Sequence, residues 1–192
     1  MSDTSAGSTA NEGGRPNGSG NGGSPAFALV DYADPDDARD LVALLDGYAR
    51  DPTGGGEPLS DHARENLAAA LAATPNAFSL IGRVDGEAVA LANCFTSLST
   101  FACRPLVNVH DLAVAPGWRG RGIGRALLAA VAAEARSRGA CKVTLEVLEG
   151  NAAARRVYER AGFAPYALGE TFGSALFLEK KLRDGDARPG GA

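Results

Sequence analysis

"GWRGRGIGRALLAAV", residues 117–131, changes character at its midpoint: glycines alternating with arginines give way to an apolar run without a helix breaker. The second half reads as a helix whose buried face carries Ile123, Ala126, Leu127, Ala130 and Val131, spaced as one face of an amphipathic helix. That face accounts for the apolar residues but not for the glycines. A helix N-terminus presents free backbone N–H groups and partial positive charge, and glycines ahead of it let a bulky anion approach without meeting a Cβ. Arg119, Arg121 and Arg125 add charge at the same place, so the layout suits a diphosphate held by main-chain amides. Taken alone, a glycine-rich turn with solvated arginines explains the stretch equally well. A Walker A loop is disfavoured, because no Lys-Ser or Lys-Thr follows. A dinucleotide GxGxxG starting at Gly120 fails as well, since it would put its last glycine at Arg125.

Outward from this stretch the chain alternates strand and helix signals. "FALVDY" (27–32) reads as a strand. Asp34, Pro35, Asp36 and Asp37 then open a helix carrying Leu41, Leu44, Leu45 and Tyr48, stopped before Pro52. A second helix is expected from about Ser60 to Ala73. "AFSLIGRV" and "EAVALANCF" are strands joined by Asp85-Gly86, a dipeptide suited to the positive φ angles of a tight hairpin. "LVNVHDLAV" (106–114) is a further strand, the central helix runs to about Arg138 with Gly139 as its stop, and "CKVTLEVL" (141–148) is a strand again. Asn151 caps a short helix ending at Gly162, and "SALFLEKKL" (174–182) reads as a last strand. A hairpin followed by strand-helix-strand-helix-strand implies an α/β fold with a mixed, mostly antiparallel central sheet and helices on both faces.

Length and composition set the boundaries. A chain of 192 residues, 45% of them hydrophobic, supports one compact domain with a real core. Residues 1–25 are Gly/Ser/Asn-rich with little to bury and read as a disordered tail; residues 26–183 form the domain, and 184–192 read as a flexible C-terminal tail. A net charge of −4 argues against a nucleic-acid partner. Cys94, Cys103 and Cys141 show no CxxC spacing and no clustered histidines, so neither a disulfide framework nor a metal site is expected. The N-terminus lacks a signal-peptide pattern, and no apolar stretch nears the roughly 18–20 residues of a membrane span. A cytoplasmic protein without a membrane partner is the expectation.

The segment Arg119-Gly-Arg-Gly122-Ile-Gly124 resembles the Arg/Gln-x-x-Gly-x-Gly/Ala signature of the GNAT superfamily of acetyl-CoA-dependent N-acetyltransferases. "DLAVAPGWRGRGIGRALL" is similar to that family's strand-loop-helix. "LEVLEGNAAARRVYERAGF" (145–163) is similar to its later strand, Asn-initiated helix and terminal Gly-Phe. The resemblance covers roughly residues 27–182 and is strongest from His110 to Phe163. It implies a GNAT-like fold in which the strands at 106–114 and 141–148 splay apart. It also implies acetyl-CoA as cosubstrate, with its diphosphate on Arg119, Gly120, Arg121, Gly122, Ile123, Gly124 and Arg125. Leu112, Ala113 and Val114 would offer main-chain groups to the pantetheine arm in the manner of an added strand, and Asn151 would cap its helix, contact the coenzyme, or both.

The implied reaction is direct attack of a primary amine on the thioester in a ternary complex. Histidine is the side-chain type best suited to exchanging protons at physiological pH, so His110 is the candidate base, acting through water. Asp111 and an ordered water are the alternatives, and a structural histidine beside Asp111 explains the same residues. Strict alternation places Asn108, His110, Leu112 and Val114 on one face and Val109, Asp111 and Ala113 on the other. The resemblance gives Tyr158 the role of acid for the departing thiolate; from the residues alone it reads as a core tyrosine. An acetyl-cysteine route through Cys141 has only its proximity in favour. The acceptor, a small-molecule or peptide amine, would be selected around 48–62, 95–105 and 166–174, where Glu170 is a candidate carboxylate. Self-association as a homodimer is compatible with this reading. A non-catalytic acyl-CoA-binding sensor is the alternative function.

Overall fold

The computed structural model describes residues 23–167, 171 and 173–180. The expected N-terminal tail as far as residue 22, residues 181–183, the C-terminal tail at 184–192 and Glu170 lie outside the described residues.

Strand β1 (Ala26–Leu29) leads into helices α1 (Pro35–Ala49) and α2 (Asp61–Ala72). Strands β2 (Ala77–Val84), β3 (Glu87–Ser99) and β4 (Arg104–Val114) form an antiparallel meander, and a one-turn 3₁₀ segment (Pro116–Trp118) precedes α3 (Ile123–Ser137). Strand β5 (Val143–Leu145) and α4 (Ala152–Arg160) follow. The sheet order is β1-β2-β3-β4-β5, antiparallel throughout except for the parallel β4–β5 pair.

The local chemistry explains most boundaries. Asp34 Oδ1 accepts the amides of Asp36 at 2.8 Å and Asp37 at 3.0 Å, and Pro35 occupies the first turn of α1. Ser60 Oγ accepts the Ala63 amide at 3.1 Å to start α2. Asp85 and Gly86 take φ of 51° and 86°, the left-handed pair that a two-residue hairpin requires. Strand β1 stops before the expected Tyr32 because Asp31 turns the chain, accepting the Ala33 amide on Oδ1 at 2.9 Å and the Asp34 amide on its carbonyl at 3.0 Å.

The sheet buries both faces. On one, Val107, Val109, Ile123, Leu127 and Val131 join Phe78 and Leu80 in a core under α3. On the other, Leu41, Leu45 and Leu71 from α1 and α2 pack on Ile81, Leu91 and Ala113. No helix among the described residues is long and apolar enough to cross a membrane.

Three further expectations need correction. The register between β3 and β4 slips where Asn93 pairs with Asp111 and Cys94 with Val109, leaving His110 as an extra residue. This β-bulge breaks the alternation: Val107 and Val109 face α3 before it, Leu112 and Val114 after it, and Asp111 falls on the α1 side with Ala113. Strand β5 spans only Val143–Leu145 within the expected 141–148, since its ladder on β4 ends at Val109, where the bulge bends the partner away. Within 174–180 the expected last strand is reduced to one bridge, Ala167 with Ser174. Its "LFL" run lacks the two-residue alternation of a half-buried strand, and Leu176, Phe177 and Leu178 stay 82%, 76% and 85% exposed.

Candidate active site

The N-terminus of α3 is left without a side-chain cap. Gly122 is the N-cap, at φ 83°, and offers no side-chain cap to the first-turn amides. Gly120 is also left-handed, at φ 77°, and a Cβ added at either glycine would have no heavy atom within 4 Å. The glycines therefore serve conformation and leave open space above the amides. At Gly124 an added Cβ would lie 3.6 Å from Val114 Cγ2 and 3.8 Å from Val157 Cγ1, where the helix passes β4 and α4. Arg121 and Arg125 are exposed, and Ile123 is buried under the helix. The Arg121 guanidinium lies 4.8 Å over the Trp118 ring, whose Nε1 donates to Glu87 at 3.2 Å. Trp118 packs at the turn.

Arg119 is engaged in protein contacts. Its Nε donates to the Val114 carbonyl at 2.9 Å and its Nη1 to Asp51 Oδ2 at 2.8 Å. Asp51 Oδ1 also accepts the Thr53 amide and hydroxyl at 2.9 and 2.7 Å. These Thr53 bonds first, and Arg119 after them, hold its carboxyl down at about 2. The segment following α1 is thus tied to the end of β4. Its far end is tied as well, by Leu59 donating its amide to Asp46 Oδ1 at 2.8 Å.

Beyond Val109 strand β4 has no β5 partner, so Leu112, Ala113 and Val114 lie on the stretch where the two strands have separated. A cavity of about 200 Å³ opens between this stretch and α1, lined by Gly47, Tyr48, Ala113, Val114 and Arg119. A larger cleft of about 720 Å³ flanks β5 and α4, with Thr144, Glu146, Tyr158, Phe163 and Tyr166 in its wall. Tyr158 is half-buried, its ring 6.2 Å from that of Phe163. Burial, and secondarily electrostatic coupling to the Tyr48 phenol, raise the pKa of Tyr158 and keep its phenol protonated. Asn151 caps α4 by accepting the Ala154 amide at 3.0 Å.

His110 is exposed, its ring set edge-on to Phe95 with centroids 5.5 Å apart. Asp111 accepts Asn93 Nδ2 on Oδ2 at 3.0 Å, and its charge helps to raise the pKa of Tyr48 after burial. Cys94 is buried, which pushes its thiol up to about 12 and removes it as a nucleophile at neutral pH. Among the described residues no group of three or more metal-binding side chains is assembled.

Sequence reasoning left three contributors unassigned. Tyr48 was visible only as part of a helical stripe. Asp51 gave no local signal, because its partner is 68 residues away. Asn93 did carry one, as a polar residue inside the apolar run "EAVALANCF".

A family model described as Acetyltransferase (GNAT) family matches residues 41–163, well over half of the chain. Streptothricin acetyltransferase of Streptomyces lavendulae is 46% identical over 70 residues, which are 36% of this chain and 37% of that protein. Mycothiol acetyltransferase of Beutenbergia cavernae is 37% identical over 89 residues, 46% of this chain and 29% of that one. The matches thus span between 29% and 37% of these relatives' lengths. Among solved structures, an aminoglycoside acetyltransferase from an uncultured soil metagenomic sample superposes with a TM-score of 0.67 at 16% identity, covering 83% of this chain and 97% of that one. The ribosomal-protein-alanine N-acetyltransferase of Brucella melitensis biovar Abortus gives 0.60 at 22% identity, covering 83% and 99%. An aminoglycoside N-acetyltransferase in complex with CoA gives 0.61 at 19%, covering 83% and 96%. At these identities the structures speak for the shared fold.

Proposed function

Since the chain belongs to the GNAT acetyltransferase family, we propose that it transfers an acetyl group from acetyl-CoA to a primary amine, by direct attack in a ternary complex. One observation carries this reading: α1, α2 and α4 each begin with a side-chain cap, whereas α3 begins with a left-handed glycine and none. Its first-turn amides are what a diphosphate needs.

Acetyl-CoA supplies an acetyl group activated as a thioester. The amides from Gly120 to Arg125, with the side chains of Arg121 and Arg125, would hold its diphosphate. Arg119 would support the same loop while clasping Asp51 and Val114. Main-chain groups of Leu112, Ala113 and Val114 would align the pantetheine amides along the separated edge of β4. An amide there directed at the thioester oxygen would contribute about 3 kcal/mol to the barrier reduction. Asn151 already spends its side-chain oxygen on α4 and would reach the coenzyme through its amide nitrogen.

The acceptor ammonium gives up one proton, through water to His110, and the freed nitrogen lone pair forms the C–N bond; the second proton leaves nitrogen to water as the C–S bond breaks. Tyr158 donates a proton to the leaving sulfur and is reprotonated from solvent. The products are the N-acetyl amide, CoA thiol and one released proton. The acceptor we favour is a small molecule, in keeping with the streptothricin and aminoglycoside enzymes among the similar proteins; a peptide amine is the second choice. Three free cysteines and the net charge of −4 support a cytoplasmic setting without nucleic acid.

Release of CoA thiol across a panel of amines tests the reading, and acetyl-CoA binding without turnover of any amine would favour the sensor. With an accepted amine, Tyr158→Phe is expected to lower kcat about 10²-fold while acetyl-CoA affinity stays within a few-fold and the melting temperature holds. Full kcat with chemistry rate-limiting would return Tyr158 to a packing role.

A further inference from the structure

A line of polar side chains crosses three strands beneath α1. Ser79 on β2 and Asn93 on β3 are 1% and 2% exposed, beside a core of Leu41, Ile81 and Leu91. Burying such groups is costly unless each is satisfied. Here the bonds run in one direction. Ser79 Oγ donates its hydrogen to Asn93 Oδ1 at 2.6 Å, and Asn93 Nδ2 donates to Asp111 Oδ2 at 3.0 Å. The hydroxyl of Tyr32, 2.9 Å from Ser79 Oγ, must then be the donor in that contact, since the serine's single hydrogen is already committed. Every hydrogen in the line points toward one carboxylate. Such a chain polarises cumulatively and fixes the orientation of its terminal acceptor.

Asp111 is where this order ends. Among the described residues no Lys, Arg or His pairs with it, and only Oδ2 receives a hydrogen bond. The groups around it are Tyr48 from α1, Asn93 and Cys94 from β3, and His110 beside it on β4. None of these contributes a guanidinium or an ammonium. The bulge at His110 is what turns Asp111 to this face.

We propose that Asn93, backed by Ser79 and Tyr32, is the positioning residue of the acceptor site: it fixes the Asp111 carboxylate through Oδ2 and leaves Oδ1 to receive the ammonium of a cationic amine. The inference rests on the transferase reading for its site, and adds that the acceptor arrives positively charged. Weakly basic aromatic amines gain nothing from Asp111.

The test uses the full chain with streptothricin, sisomicin and spermidine, all cationic at neutral pH, and with uncharged aniline. Binding is read by calorimetry in the presence of CoA, and turnover by thiol release. Asp111→Asn is expected to weaken binding of each cation about tenfold or more while leaving aniline within twofold. Asn93→Leu, close in volume without the amide, should follow in the same direction by about fivefold, and Tyr32→Phe by about twofold, with acetyl-CoA KM unchanged in both. Tyr32→Phe removes one hydroxyl at the remote end of the line and keeps the test open should Asn93→Leu fail to fold. Equal losses for cations and aniline, or unaltered cation affinity in a folded Asp111→Asn, overturn the inference. So does failure of all three cations to bind the unsubstituted chain. Cation binding without thiol release sustains the inference and removes the transferase reading instead.

Discussion

Helices α1 and α3 lie on opposite faces of the same sheet and begin in opposite ways. The N-terminus of α1 is self-sufficient: Asp34 accepts two first-turn amides, proline removes a third donor, and Asp36 and Asp37 lie against the positive end. At the N-terminus of α3 there is no acid in the first turn and no side-chain cap, and arginines surround a left-handed glycine. The first arrangement spends its donors on folding; the second leaves them open, as the proposed coenzyme site requires. A helix start that is underfurnished by folding criteria therefore carries more functional information than a well-capped one.

The contrast breaks if α3 can be furnished like α1 without consequence. Gly122→Asp puts a carboxylate where the diphosphate would lie, in a left-handed conformation that aspartate tolerates better than most residues. Acetyl-CoA affinity is expected to fall about a hundredfold, with a stability loss near 1 kcal/mol. Titration calorimetry beside thermal melting measures both, and retained affinity in a folded variant would remove the anion site from α3. The reciprocal change sharpens the contrast. Asp34→Ala should cost about 1 kcal/mol of stability and leave acetyl-CoA affinity unchanged; a loss of affinity would mean that the two ends are not separate in purpose.

The smallest effect concerns acid. The Asp51 carboxyl titrates near 2 in the folded protein against 3.8 ordinarily, so its contribution is complete above 3.8 and is lost as pH falls toward 2. Amide exchange followed from pH 4 downward should show the Asp51–Thr53 turn losing protection earlier than α3. Asp51→Asn should flatten that difference, and simultaneous opening of both regions would contradict it.

Much of this was legible beforehand. Strand β2 follows its predicted limits, and Asp34, Ser60, Gly122, Gly139 and Asn151 mark helix ends through chemistry that is local and readable. What escaped was cross-strand. The bulge at His110 is a property of the β3–β4 register, and the isolated sequence of β4 alternates without a flaw. Ser79, Asn93 and Asp111 come into line only once three strands are aligned. The bond from Arg119 to Asp51 joins residues far apart in the chain, and nothing nearby in sequence announces it. The short β5 follows from the same bulge, so the error there repeats the one in β4.

The tethered segment after α1 bears on how such a protein can change over generations. Asp51 secures one end to Arg119, Asp46 secures the other through Leu59, and Gly56 folds back to the Ala49 carbonyl at 2.9 Å. Glu57 and Pro58, both exposed, lie between these moorings. Closure entropy rises only with the logarithm of length, so doubling a flexible span costs about 0.6 kcal/mol. Insertions at Glu57 and Pro58 can therefore reshape the rim beside Tyr48 while the moorings keep α1, α2 and the glycine loop in place. On the proposed reading, acceptor choice can diversify there without renegotiating the coenzyme end.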